Sequence, residues 1–102
     1  MTSFRDYNPR AVGMAWFREE DYPALVSVLE DGHKYDSFKQ WLQRAEELEA
    51  KFKSEGYIVE RVHIDPETFP DWCRKNGVGI NREGRTKFAA EVVAEKYGRN
   101  HS

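Results

Sequence analysis

The chain has 102 residues, of which 39% are apolar, 14% aromatic and 33% charged, with a formal net charge of −2. That length suits one domain with its own core and leaves no room for a second. A single cysteine, Cys73, excludes an internal disulfide framework, and a charge so close to balance points to no partner by itself.

Residues 1–10 carry no apolar pattern and are expected to form a loose arm. They lack the apolar stretch of a secretion signal, and no run approaches membrane-spanning length, so the expected setting is a reducing cytoplasm away from membranes. Residues 11–17 read as a strand. Val12, Met14 and Trp16 share one face and Gly13, Ala15 and Phe17 the other, so cover is expected on both sides. Asp21 then offers a helix N-cap with Pro23 in the first turn, followed by a stripe of Tyr22, Leu25, Val28 and Leu29 that ends at Gly32. Residues 25–29 also fit a strand, and periodicity alone does not separate the two.

The next helix is specified most fully. Ser37 and Gln40 form a capping-box pattern, with Asp36 at the positive end of the dipole. Phe38, Trp41, Leu42, Ala45, Leu48 and Phe52 fall on one stripe, opposite Glu47–Lys51 and Glu49–Lys53 pairs. Gly56 sits where a left-handed C′ residue is needed, with Tyr57 placed to pack on Phe52. Residues 57–64 form the second strand, with Ile58, Glu60, Val62 and Ile64 on its core side. Asp65-Pro66 ends it. Because Pro70 would fall inside a helix begun at Pro66, the spacing predicts a turn and then a short helix, capped by Thr68, that runs to Asn76 and is ended by Gly77. Asn81 caps the last helix, with Phe88, Ala89, Val92, Val93 and Tyr97 as its stripe and Gly98 as its stop. Gly84 lies in its first turn, where glycine costs little.

The expected architecture is a single α+β domain over residues 11–98, of order β-α-α-β-α-α, with a frayed tail at 99–102. Two strands make a marginal sheet. A third strand from the arm or from residues 25–29, or a second chain across a dimer axis, would complete it.

His63, Asp65 and Cys73 are the set with the most chemical content, since a Cys–His pair at the end of a strand makes an activated nucleophile. Each has a plainer role: Cys73 is spaced as a small buried residue and Asp65 as the ordinary partner of an Asp-Pro turn. Arg61, His63, Asp65 and Trp72 are candidates for a pocket or interface. Trp41 belongs to the core by its place on the stripe. Arg74, Lys75, Arg82, Arg85 and Lys87 form a locally basic stretch that would suit an anionic partner such as nucleic acid, although the pI near 5.9 is low for that class. Three scattered histidines have no metal-ligand spacing, and no phosphate-binding glycine loop follows a strand, so neither metal nor cofactor is expected.

Trp16-Phe17, the segment 41–48, Asp65-Pro66-Glu67 with Phe69 and Trp72-Cys73, and Phe88-Ala89-Ala90-Glu91 together resemble a group of small proteobacterial proteins of unassigned function. The resemblance runs from Ala11 onward, implies a bacterial cytoplasmic origin, and carries no activity over. The expected function is a non-enzymatic protein-binding or accessory domain whose partner is another protein or a second copy of the chain. The alternatives are nucleic-acid association through residues 74–87 and a small enzyme using His63, Asp65 and Cys73.

Overall fold

The computed structural model describes residues 10–35 and 37–97; the first nine residues of the arm, Asp36, Gly98 and the tail lie outside it. The order is β1 (Ala11–Trp16), α1 (Tyr22–Val28), α2 (Phe38–Ser54), β2 (Ile58–His63), α3 (Phe69–Lys75) and α4 (Arg82–Tyr97), an α+β arrangement. β1 and β2 pair in parallel, with Ala11 opposite Ile58 and Trp16 opposite His63. A parallel pair needs a long crossover, and α1 and α2 supply it.

Both faces of the sheet are covered, as the double apolar pattern of β1 requires. Met14 and Trp16 pack with Ala45, Trp41, Leu42 and Phe52 of α2. On the opposite face Val62 packs with Ala89 and Val93 of α4. There α4 approaches so closely that a Cβ on Gly13 would lie 2.6 Å from the Ala89 carbonyl oxygen. A third cluster gathers beyond the C-terminal ends of the strands, where Phe17, Leu25, Leu29, Ile64, Phe69 and Cys73 are buried together. Trp41 joins the two apolar clusters on its side, stacked on Phe17 at 4.6 Å between centroids and set edge-on to Trp16 at 5.3 Å.

Residues 25–28 are helical and Leu29 closes the helix in an extended conformation; tertiary burial decides it. Leu25 and Leu29, one turn apart, are both buried while Ser27 is exposed, a spacing that a strand would place differently. Asp21 precedes α1 but makes no side-chain cap; its carboxylate lies 3.8 Å from Arg18 instead. Ser37 does cap α2, its Oγ accepting from the Gln40 N–H at 3.2 Å. The far end closes as expected: Gly56 has φ of 94°, the Tyr57 N–H donates to the Phe52 carbonyl at 3.1 Å, and the two rings meet edge-on. α3 ends in the same way, with Gly77 at φ of 68° and the Val78 N–H on the Cys73 carbonyl. Thr68 occupies the cap position of α3 without a side-chain bond. The turn before it is held by Asp65, whose Oδ1 accepts from the Glu67 N–H at 2.8 Å.

Three apolar side chains expected inside are exposed: Leu48 at 44%, Ile58 at 40% and Tyr97 at 38%. Each lies beyond a limit of the cover. Two strands make a sheet narrower than the α2 stripe, so Leu48 hangs past it. Lys96 and Tyr97 of α4 both reach Glu60, which leaves Ile58 beyond the described end of that helix. Glu49, expected to pair with Lys53, is instead turned inward and 8% exposed.

Candidate functional site

Glu49 faces the sheet because Arg61 meets it there. Arg61 Nε and Nη2 donate to the two carboxylate oxygens, each at 2.8 Å, while the guanidinium lies 3.9 Å from the centre of the Trp16 ring. These bonds from Arg61 hold the Glu49 carboxyl below its usual range in spite of burial. Arg61 therefore ties β2 to α2, on the face opposite α4. Trp72 serves a different layer. It is half-buried against Phe69 and Phe88, 5.0 Å from the latter.

His63 is exposed at the end of β2, and its pKa is lowered by partial burial first and then by Arg18 and Arg61. Asp65 is committed to its turn. Cys73 has no accessible surface, and burial followed by the charge of Glu30 pushes its thiol up, the reverse of what activates a nucleophile. Among the described residues no hydrogen bond joins His63, Asp65 and Cys73, and no group of three or more His, Cys, Asp or Glu side chains is placed to hold a metal ion. The native thiol should be inert to a disulfide reagent and react in full in denaturant; rapid labelling of the folded protein would contradict this burial.

The basic stretch divides into three parts. Arg74 and Lys75 both pair with Asp71, at 2.9 and 3.3 Å. Arg85 is withdrawn from the surface altogether, its side chain 7% exposed. Its Nη1 and Nη2 donate to the two oxygens of Asp31, each at 3.0 Å, and Nη2 also donates to the Tyr35 hydroxyl at 2.8 Å. Asp31 is accordingly held below its ordinary pKa, chiefly by the bonds from Arg85. Only Arg82 and Lys87 remain exposed without an ion-pair partner among the described residues. The signal for Arg85 was present in the sequence: one turn before Phe88 and Ala89, it extends the buried stripe of α4.

Asp31 and its neighbour Glu30 are site residues that sequence reasoning missed. The Glu30 carboxylate accepts from the Ile80 N–H at 3.3 Å and the Asn81 side chain at 3.0 Å, tying the turn after α1 to the start of α4. Nothing local marks these partners, which are about fifty residues away in sequence.

This junction shapes two grooves that share Arg82 and Thr86. The larger, about 810 Å³, lies between the turn at residues 30–34 and α4, with Lys34, Lys87 and Ala90 on its walls. The smaller, about 290 Å³, opens between α2 and α4 and is lined by Met14, Ala15, Arg44 and Leu48 as well as the shared pair. Of the carboxylates on the larger groove, Glu30 and Asp31 are committed to internal bonds, while Glu83 is not. No helix among the described residues is long and apolar enough to cross a membrane.

Compared with protein-family models, curated proteins and solved structures, the chain matches none.

Proposed function

We propose that this chain is a non-enzymatic protein-binding or accessory domain that acts through the surface around the first turns of α4. The observation that carries the reading is the pair of adjoining grooves. Their cations Lys34, Arg44, Arg82 and Lys87 have no ion-pair partner among the described residues, whereas the strongest titratable pairs, Arg85–Asp31 and Arg61–Glu49, serve the fold. An interface of this kind combines apolar contact with a polar rim. A cytoplasmic setting goes with it, because a free buried thiol is kept reduced there.

Nucleic-acid binding has less to rest on. Arg85 is buried, Arg74 and Lys75 share Asp71, and Trp72 is packed rather than free to stack on a base. The two readings separate in a fluorescence anisotropy titration at about 0.15 M salt, using short labelled peptides of acidic, neutral and basic composition and a short single-stranded oligonucleotide. Binding to at least one peptide class, lost on Arg82→Glu with Lys87→Glu, is the expected result. Binding to the oligonucleotide alone, with a steep salt dependence removed by the same substitutions, would replace the reading.

A further inference from the structure

The smaller groove runs along the outer edge of β1. In a parallel ladder, the N–H and C=O of one residue point to the same side and those of the next to the other. The Ile58 N–H donates to the Arg10 carbonyl and the Ile64 N–H to the Trp16 carbonyl, so the even-numbered residues of β1 face β2. Ala11, Gly13 and Ala15 therefore aim their N–H and C=O groups away from the sheet, and none finds a partner among the described residues. The groove shows the same opening from the side-chain view. Met14 and Ala15, on opposite faces of the sheet, both line it together with α2 and α4 and without any residue of β2.

The two edges of the sheet are not equivalent. β2 carries Glu60, Arg61 and His63, charged or polar side chains of the kind that discourage further pairing. β1 reads Ala-Val-Gly-Met-Ala-Trp, with no charge and no proline. No described residue pairs with its outer edge, and from Ala11 to Ala15 that edge spans about 13 Å, room for a short added strand.

We infer that this edge accepts an extended acidic peptide segment as a third strand, lying between α2 and α4. The inference rests on the protein-binding reading and specifies its mode. Arg44 stands on the α2 wall and Arg82 on the α4 wall, both without a carboxylate partner among the described residues. Successive side chains of a strand point to opposite faces, so two consecutive Glu or Asp residues would meet one arginine each, while main-chain bonds to Gly13 and Ala15 supply affinity. A second copy of β1 fits less well, since it would bring another Arg44 and Arg82 toward the same groove.

The test uses the isotopically labelled full chain and a synthetic peptide, Val-Thr-Glu-Glu-Thr-Val, beside the same peptide N-methylated at alternate backbone nitrogens. The unmodified peptide should shift the amide signals of Gly13 and Ala15 and slow their hydrogen exchange. N-methylation on the edge facing β1, or Arg44→Glu with Arg82→Glu in the protein, should each weaken binding about tenfold or more, as loss of one or two such bonds requires. Equal affinity for both peptides, with Gly13 and Ala15 unmoved, would overturn strand addition and leave the protein-binding reading standing. So would binding confined to neutral or basic peptides. Protection of Gly13 and Ala15 without peptide, together with a doubled mass in light scattering, would assign the edge to a second copy and overturn the proposal. Failure of every peptide class would remove the broader reading as well.

Discussion

Asp31→Ala should destabilise the domain by about 3 kcal/mol, a large share of what a domain of this size possesses. The substitution leaves the Arg85 guanidinium 7% exposed and without the carboxylate that takes two of its bonds. A buried charge stripped of its partner costs far more than the pair was worth. Arg85→Met should therefore cost less than Asp31→Ala, because it removes the enclosed charge and leaves a carboxylate with some access to water. The double variant Asp31→Leu with Arg85→Met should recover most of the loss. Urea unfolding midpoints of the three variants check the order. An Asp31→Ala midpoint equal to that of the parent would mean that the pair is not formed.

The pH dependence follows with a definite sign. Because Arg85 holds the folded pKa of Asp31 below its ordinary value of 3.8, the folded state binds fewer protons than the unfolded one as pH falls through that region. The contribution of the pair is complete above the unfolded pKa and is lost as pH drops toward the folded one. The stability gap between the parent and Asp31→Asn should accordingly be constant near neutrality and narrow below about pH 4.

Gly84→Ala should also destabilise, by about 2–3 kcal/mol, although glycine to alanine within a helix ordinarily gains up to about 1 kcal/mol. The sign reverses because a Cβ at this position would fall on the carbonyl oxygen of Gly79 and would lie 3.3 Å from the sulfur of Cys73. The obstacle is backbone, so the loop before α4 or the first turn of α4 must shift, and the packing around Cys73 shifts with it. Gly56→Ala makes the control. Nothing lies within 4 Å of that Cβ, and its cost of about 1–2 kcal/mol comes from the left-handed backbone alone. Thermal melts separate the cases: Gly84→Ala should lower the midpoint by about 10 °C or more. A neutral or stabilised Gly84→Ala would show that the Gly79 loop does not press on the helix.

Local chemistry made much of the scaffold legible. The Ser37 cap and the two glycine-ended helices depend on dihedral preferences and bonds between residues a few positions apart, so spacing alone determines them. The same holds for the Asp65 turn and for the delayed start of α3, since Pro70 acts within its own turn. The covered faces of β1 followed from its period-two apolar pattern. Cys73 was legible as a buried residue from its place beside Trp72 and one turn from Phe69.

What the tertiary structure decided has a common physical basis, which is competition for distant partners. Glu49 had a suitable lysine four residues away, yet Arg61 on β2 offers two donors at 2.8 Å in a less hydrated place and takes it. Arg85 belonged by charge to an exposed basic stretch, and Asp31, distant in sequence on the turn after α1, pairs with it in the interior. Leu48 fitted the α2 stripe but lies past the two strands that the sheet has among the described residues. The helical state of residues 25–28 was settled by which side chains of the segment found the core. The sequence by itself thus determined elements, caps and the apolar faces, all set by neighbours along the chain. Only the tertiary structure determined which charges are spent on the fold and which edge of the sheet stays open, because burial and partner geometry exist only once the elements meet.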